Sequence, residues 1–451
     1  MTTLTDHQWS AVKKVVNWFK TDGANGDPLD YGDAPVCYLG GYAGTGKSTI
    51  LPYIIEKCGL HPSEVVFCAP TGKAARIMGQ KLYDVYNDPK IAPTTIHRLM
   101  YKPRPEKVDA LKRKILELSI LLSHNAGVKT INVGGDDVER YHLEESLELM
   151  KRELDRLYTS KDGPRFQINT DSIIREARLV VVDEASMVGE TMADDMREFG
   201  IPILAIGDPG QLPPIREHPG LTIGTPDVFL EEIHRQAADN PIIWLANQVR
   251  QGNTNINYGT IGHNVRILRQ NEDTVSADPD RNAMVLCGSN LRRYNLTCDI
   301  REASGFTDTG PMEGEPLIVT KNCRKDQTLV NGTFALTTRD VGNLKEGSSS
   351  FRLEMKDEMG QHRSLHVAQC LFERHYAKNQ QYSSCSKEAM FDSVRKLDNV
   401  DWGWVVTVHK AQGSSWKDVV LHDQSSVFKN SQKQWLYTGI TRASETLTIV
   451  R

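Results

Sequence analysis

The feature that most constrains the fold is a glycine-rich stretch of eight residues, Gly41 to Ser48, with the sequence GYAGTGKS. It fits the pattern G-x-x-x-x-G-K-[ST], follows the apolar run VCYL and precedes a second apolar run, ILPYII. Glycines let such a loop wrap so that backbone N–H groups point inward at phosphate oxygens, and the next helix presents its positive end to the same charge. The stretch therefore predicts a strand–loop–helix unit that binds a nucleoside triphosphate.

The residue types in this stretch suggest distinct roles. We expect Lys47 to reach the β- and γ-phosphates and the Ser48 hydroxyl to hold Mg²⁺. The residues expected to bind the nucleotide are Gly41, Ala43, Gly44, Thr45, Gly46, Lys47, Ser48 and Thr49.

A pair of acidic residues ends a second apolar run, LVVVDEAS, at residues 179–186. Such a pair after a strand is often only a solvated strand end, but here a phosphate-binding loop precedes it. We expect Asp183 to hold Mg²⁺ through water and Glu184 to orient or deprotonate the attacking water.

Three further residues are candidates for contact with the γ-phosphate. Gln211 lies in LAIGDPGQLPPI and can position water or sense the phosphate. Arg235 in IHRQ and Arg442 in TGITRA lie outside the first α/β unit, and a guanidinium stabilises the charge of a phosphoryl group in transfer. An arginine from a second domain would make hydrolysis depend on domain closure.

The order of apolar runs predicts a doubly wound α/β fold. PVCYLGGY, EVVFCAP, ARLVVVDEA and IPILAIGD are typical of buried parallel strands, and residues 5–20 have the spacing of a helix. Residues 103–170 predict two antiparallel helices, joined by a connection that contains NVGGDDV. A second α/β unit begins near residue 225 and is interrupted at 305–398 by short strand-like runs.

Composition limits the class of protein. The chain has 451 residues, enough for several domains, and a net charge of −4, which argues against a polybasic protein but allows a locally basic groove. No run reaches the ~18 apolar residues of a membrane span, and the N-terminus lacks the apolar core of a secretory signal. The eight cysteines form no CxxC pair. We expect reduced thiols, no cysteine metal site and a cytoplasmic protein.

An ordered set of motifs resembles those of superfamily 1 helicases of the RecD/Dda-like subgroup. The set is LTDHQWSAV, GYAGTGKST, CAPTGKAARIM, TTIHRLMY, VVVDEASMV, GDPGQLPPI, IHRQ, TVHKAQGSSWKDVVL and LYTGITRA. The resemblance implies two RecA-like domains in tandem with ATP between them, the first at 1–102 and 171–224 and the second at 225–304 and 399–451. It also implies insertions, helical at 103–170 and SH3-like β at 305–398.

The same resemblance assigns roles residue by residue. Gln8 would read the adenine, Gly413 would lie beside the nucleotide, and Gln211, Arg235 and Arg442 would contact the γ-phosphate. The residues expected to face a bound nucleic-acid strand are Pro70, Thr71, Thr94, Thr95, His97, Thr407 and His409.

The resemblance implies a monomeric motor that moves 5′→3′ on single-stranded DNA and unwinds forks, in bacterial or phage-infected cytoplasm, with replication or recombination proteins as partners. Dda-like enzymes carry a wedge-forming β-hairpin between the TIH and DE motifs, whereas this interval predicts helices, so its strand-separating element is an open question. An RNA helicase, an NTPase that binds no nucleic acid, and an inactive scaffold that acts through residues 103–170 remain alternatives.

Overall fold

The computed structural model describes residues 4–451 except for 24–33, 104, 134–135, 160–165, 216, 233–239, 273–282, 324–325, 327 and 377–396. It divides into two compact units, a larger one of residues 1–96 and 174–451 and a smaller one of residues 97–173. The larger unit holds two parallel-sheet domains, called here the first and second lobes, and a β-sheet insertion.

The first lobe is built on six parallel strands, most of them short, apolar and buried. Their spatial order is Val228–Leu230, Val36–Gly41, Ile203–Gly207, Leu179–Val182, Val65–Ala69 and Thr94–Thr95. The helices of this lobe are Asp6–Trp18, which continues as a π-helical turn Phe19–Gly23, and Lys47–Lys57, Gly72–Tyr86 and Glu190–Arg197. Parallel strands place their carboxyl ends at one edge, where the loops carry the candidate site.

The predicted start of the second domain at residue 225 is too early. Val228–Leu230 is an edge strand of the first sheet, paired with Leu39 to Gly41. The Asp227 carboxylate accepts the Tyr38 N–H at 2.7 Å, and the Phe229 ring packs on Tyr42 with centroids 4.9 Å apart. These long-range contacts fix a strand of three residues that no sequence period reveals.

The second lobe has another six-stranded sheet, parallel except for its first strand. The order is Gly259–Ile261, Val265–Leu268, Ala443–Val450, Trp416–His422, Met284–Cys287 and Val405–Thr407. Its helices are Pro241–Arg250, Asn290–Ala303, Val408–Ala411 and Gln432–Ile440. The two sheets confirm the predicted fold of two doubly wound α/β domains in tandem.

The β insertion is a five-stranded antiparallel sheet, which confirms that the strand-like runs at 305–398 interrupt the second α/β unit. The strands lie in the order His362–Ala368, Ser350–Asp357, Phe334–Thr337, Pro316–Val319 and Val400–Trp402, with a short helix at Cys370–Glu373. The last strand lies beyond the expected limit of residue 398, because Leu317 to Val319 pair with it.

Two buried ion pairs join this insertion to the helix Asn290–Ala303 of the second lobe. Arg293 Nη2 lies 2.9 Å from Asp401 Oδ2, and Arg301 Nε lies 2.6 Å from Glu315 Oε1. All four side chains are buried, so loss of either member of a pair would leave an uncompensated charge in the interior.

The smaller unit contains two long helices, as predicted, at Pro105–His124 and Arg140–Thr159. Two series of apolar residues at three- and four-residue spacing predict these helices, and their described members are partly or fully buried: Leu111, Ile115, Leu118, Leu122, Leu143, Leu147 and Met150. The side chains of Val108, Leu154 and Leu157 lie outside the described residues. The strands Tyr101–Pro103 and Phe166–Ile168 pair at the base of the unit.

The connection between these helices corrects the prediction of a purely helical interval. Thr130–Val133 pairs antiparallel with Asp136–Glu139, so the connection is a β-hairpin. Residues 134–135 lie outside the described residues. A Gly-Gly pair between two runs that contain Ile131 and Val138 is the sequence signal for such a hairpin, although each strand has only four residues.

Candidate nucleotide site

The glycine-rich loop joins the strand Val36–Gly41 to the helix Lys47–Lys57, as predicted. Gly44 and Gly46 have φ angles of 80° and 82°, in the region that favours glycine. Thr45 is buried, and its hydroxyl donates to the Tyr42 carbonyl at 2.8 Å. The loop is therefore wrapped tightly ahead of the helix N-terminus, the geometry that phosphate binding requires.

Lys47 and Ser48, the last two residues of the glycine-rich stretch, make hydrogen bonds close to the loop. Lys47 Nζ donates to the carbonyls of Gly41 at 2.6 Å and Tyr42 at 3.0 Å. The Ser48 hydroxyl accepts a hydrogen bond from Lys81 Nζ at 3.3 Å. A cavity of about 300 Å³ has Ser48, Thr49 and Asp183 among its lining residues. No sequence pattern singled out Lys81.

The two acidic residues follow the strand Leu179–Val182, as predicted. Glu184 has a φ of 52°, a left-handed conformation that is uncommon for a residue with a side chain, and its N–H donates to Asp183 Oδ1 at 2.9 Å. Burial, and then the Asp183 charge, raises the pKa of Glu184, while Arg442 and Lys47 act in the opposite direction. Asp183, Lys47 and Arg442 are thus each within electrostatic reach of Glu184.

Gln211 is buried beside an aspartate that the sequence analysis missed. Its Nε2 lies 3.5 Å from Asp208 Oδ2, and no described residue donates to its buried Oε1. Asp208 is 1% exposed, and its Oδ1 accepts the Gly210 N–H at 2.9 Å. An aspartate directly after the buried strand Ile203–Gly207 was the available signal, since Asp183 also directly follows a buried strand.

The two predicted arginines have different outcomes. Arg442 is buried, and it donates from Nε to the Thr438 carbonyl and from Nη1 to the Ser414 carbonyl, each at 3.0 Å. The second lobe therefore holds its guanidinium in one place. Arg235 lies outside the described residues.

Gln8 and Gly413 lie near the loop and the lobe boundary, respectively. Gln8 is buried, and its Nε2 donates to the Thr45 carbonyl at 3.3 Å, so it supports the loop directly. Gly413 approaches the first lobe closely: a Cβ there would lie 3.1 Å from Ala74 Cβ and 3.5 Å from Thr71 Oγ1. Their roles toward adenine and nucleotide stay predictions.

The predicted strand-contact residues fall into three places. Pro70 and Thr71 follow the strand Val65–Ala69, which pairs with Thr94–Thr95, and the Thr71 hydroxyl accepts the Ala74 N–H at 3.2 Å.

Thr407 ends a strand of the second lobe, and the His409 ring lies 5.3 Å from the Phe428 ring. His97 is an exposed residue of the smaller unit, with its ring 4.9 Å from that of Tyr101. Pairing of the two strands thus brings Pro70 and Thr71 close to Thr94 and Thr95.

Contacts between the first lobe and the β insertion form a feature that sequence analysis did not find. Lys73 Nζ lies 4.5 Å from the Phe334 ring centroid and 5.1 Å from that of Trp416, a residue of the second lobe. Arg76 forms an ion pair with Glu358. We call these five residues the clasp.

Membrane-spanning helices and clusters of metal-binding side chains are both absent from the described residues. Within the described ranges, no helix is long and apolar enough to span a membrane. The same part of the chain has no cluster of three or more His, Cys, Asp or Glu side chains that could hold a metal ion.

Comparison with known proteins gives two family matches. Residues 31–272 match the AAA domain, and residues 403–450 match the UvrD-like helicase C-terminal domain. The chain is 24% identical to the ATP-dependent RecD2 DNA helicase of Deinococcus radiodurans over 97% of its length, and 25% identical to an uncharacterized protein of Acanthamoeba polyphaga mimivirus over 42%. It spans 50% of the first relative and 31% of the second.

Solved structures of similar proteins include two Pif1 helicases. The crystal structure of Pif1 from Candida albicans is 18% identical, with a TM-score of 0.47, and covers 100% of this chain and 95% of that one. Pif1 from Bacteroides in complex with ADP-AlF3 and ssDNA is 16% identical, with a TM-score of 0.49, and covers 100% of this chain and 92% of that one.

The AAA-domain match takes in more than half of the chain and includes the glycine-rich loop, both acidic residues and Gln211. The helicase C-terminal match includes Gly413 and Arg442. The chain therefore belongs to the AAA-domain family, and its UvrD-like C-terminal match, together with the RecD2 relative, confirms the predicted resemblance to superfamily 1 helicases of the RecD/Dda-like subgroup.

Proposed function

We propose that this chain is an ATP-driven DNA helicase that moves 5′→3′ on single-stranded DNA and unwinds duplex. The observation that carries the proposal is the convergence of charge on Glu184: Lys47 and Asp183 come from the first lobe and Arg442 from the second. A site shared by two lobes couples cleavage of the phosphoanhydride bond to movement of one lobe against the other. The name of the RecD2 relative supports DNA as the track.

The residues around Glu184 divide the chemistry among them. A carboxylate with a raised pKa is suited to act as a general base, so Glu184 takes a proton from the attacking water. The unpartnered Oε1 of Gln211 is an acceptor that orients the same water. Lys47 and Arg442 balance the negative charge that spreads over the transferred phosphoryl group.

Ser48 and Asp183 suit a magnesium ion. Both line one cavity, and both offer the hard oxygen ligands that Mg²⁺ prefers, so that water and phosphate would supply its remaining ligands. When bound, the ion neutralises phosphate charge. Ser48 and Asp183 would hold it.

The strand track in this proposal runs from the edge of the first sheet to the second lobe. The track offers the hydroxyls and backbone N–H groups of Thr71, Thr94, Thr95 and Thr407 and the imidazole of His409, beside Pro70. These groups hold phosphates and bases without reading sequence. We assign strand separation to the hairpin of residues 130–139, since the resembled enzymes carry their wedge in this interval.

Unwinding of forks with only a 5′ tail or only a 3′ tail, with and without ATP, tests the proposal. We expect ATP-dependent unwinding of the 5′-tailed fork and an ATPase rate stimulated by oligodeoxynucleotides. Lys47→Ala should abolish both. Lys57→Ala, an exposed lysine at the end of the same helix, should leave both unchanged.

Each part of the proposal has an outcome that contradicts it. Efficient unwinding of the 3′-tailed fork alone would overturn the direction. Stimulation of ATP hydrolysis by RNA but not by DNA would make RNA the track instead of DNA. Normal ATP turnover in Lys47→Ala would contradict the assignment of the ATP site.

A further inference from the structure

The hydroxyl of Tyr437 connects the two lobes at the glycine-rich loop. It accepts the N–H of Ala43 at 3.0 Å and donates to Asp208 Oδ2 at 2.8 Å. Tyr437 belongs to the helix Gln432–Ile440 of the second lobe, whereas the other two residues belong to the first. One oxygen atom thus links the phosphate-binding loop, the second lobe and the buried aspartate beside Gln211.

The position of this hydroxyl is well defined. Tyr437 is 1% exposed, and its ring lies on Gly210, where a Cβ would be 3.0 Å from the ring carbon Cε1. Burial, and then the Asp208 carboxylate, holds the pKa of Tyr437 well above its ordinary value, so the hydroxyl keeps its proton. It therefore donates to Asp208 and can only accept from Ala43.

Further hydrogen bonds surround this tyrosine at the boundary between the lobes. The next residue, Thr438, accepts the Leu212 N–H on its hydroxyl at 3.0 Å and accepts Arg442 Nε on its carbonyl at 3.0 Å. Gln412 Nε2 donates to the Leu212 carbonyl at 3.0 Å. The helix that presents Tyr437 is thus bonded both to the Asp208–Leu212 loop and to Arg442.

We infer that Tyr437 is a positioning residue that makes ATP turnover depend on the second lobe and its bound strand. This inference rests on the proposed function. Ala43 N–H carries a single hydrogen, so a phosphate oxygen on the loop competes with the Tyr437 hydroxyl for it. A bound strand moves the second lobe and, with it, the Tyr437 hydroxyl. Asp208 is hydrogen-bonded to this hydroxyl and lies beside Gln211, so it passes the movement on to Gln211.

Such a link is reciprocal. If the strand changes the occupancy of the loop through Tyr437, a nucleotide on the loop changes the affinity for the strand by the same factor. Removal of the hydroxyl should therefore weaken both effects together, while the phosphate-binding loop itself stays intact.

Tyr437→Phe tests the inference because it removes one oxygen and keeps the ring on Gly210. The measured quantities are kcat with and without an oligodeoxynucleotide, and KM for ATP. We expect the ratio of stimulated to basal kcat to fall at least fivefold while KM changes less than threefold. A merely structural defect would reduce the active fraction and scale both rates equally, which leaves the ratio unchanged.

Tyr86→Phe is the matched control, since its hydroxyl is also buried but accepts and donates no hydrogen bond within the described residues. Its ratio should equal that of the wild type. The affinity for a labelled oligodeoxynucleotide, with and without a non-hydrolysable ATP analogue, is the second measurement. The nucleotide effect on affinity should shrink in Tyr437→Phe alone.

A wild-type chain that oligodeoxynucleotides do not stimulate would overturn the proposed function and this inference with it. A stimulated wild type with an equally stimulated Tyr437→Phe variant would overturn only the inference. A Tyr437→Phe variant in which the nucleotide still changes strand affinity by the wild-type factor would also overturn it, because the inference assigns that coupling to the Tyr437 hydroxyl.

Discussion

Replacement of Lys73 by methionine should strengthen the clasp at neutral pH. Burial, and then the charge of Arg76, lowers the pKa of Lys73 to about 8 from 10.5. At about 1.4 kcal/mol per tenfold change in proton affinity, the cost of keeping this ammonium charged is about 3 kcal/mol. Contact with the Phe334 and Trp416 rings returns ~0.5–2 kcal/mol. Methionine keeps the apolar stem without the charge, and we expect a gain of about 1–3 kcal/mol.

The sign of the pH dependence follows from a lowered pKa. The folded chain binds fewer protons than the unfolded chain between about pH 8 and 10.5, so the wild type gains stability as pH rises through this window. The advantage of Lys73→Met is full well below pH 8 and should fall by about 2 kcal/mol at pH 9.5, which removes most of it. Urea unfolding, followed by tryptophan fluorescence at pH 7.0 and 9.5, measures both values.

Two controls make this experiment decisive. Lys73→Arg keeps a charge at both pH values, so its stability should not exceed that of the wild type. Lys57→Met alters an exposed lysine and should change the urea midpoint little. No gain at pH 7.0, or a gain of equal size at pH 9.5, would refute the reasoning.

Two further predictions concern the site and the smaller unit. Glu184→Gln should reduce kcat by about 10²–10⁴-fold, with KM for ATP changed only a few-fold, because it removes the general base and keeps the shape. Because the pKa of Glu184 is raised, wild-type kcat should fall on the acid side at a pH above the ordinary glutamate value of 4.5, and an acid limb at or below 4.5 would contradict the assignment. Replacement of residues 131–138 by a short Gly-Ser turn should abolish fork unwinding and leave stimulated ATP hydrolysis within about threefold. Retention of unwinding would exclude the hairpin as the strand-separating element.

The local parts of the site were predictable from sequence because their geometry depends on neighbouring residues. The glycine-rich loop, Lys47 and the Asp183–Glu184 pair each follow a buried strand, and parallel strands end at one edge. Asp208 and Tyr437 escaped prediction because their partnership joins residues 229 positions apart. No spacing rule connects such positions.

The clasp and the short strands escaped prediction for related reasons. Lys73 is an ordinary polar residue of a helix until the fold brings Phe334 and Trp416 against it. The hairpin of residues 130–139 and the edge strand Val228–Leu230 have too few residues for a period of two to stand out. Their pairing partners, rather than their own sequences, define them.

The buried pairs Arg293–Asp401 and Arg301–Glu315 decide which joints of the molecule can bend. Separation of either pair would leave an uncompensated charge in an apolar interior, at a cost of about 3–5 kcal/mol. The β insertion must therefore move together with the second lobe as one rigid body whenever the lobes move relative to each other. The boundary of the first lobe is held more weakly, by single hydrogen bonds such as those of Tyr437 and by the half-exposed contacts of the clasp. Bending is therefore expected at that boundary, and force passes between the lobes only if the buried ion pairs keep the rest of the molecule stiff.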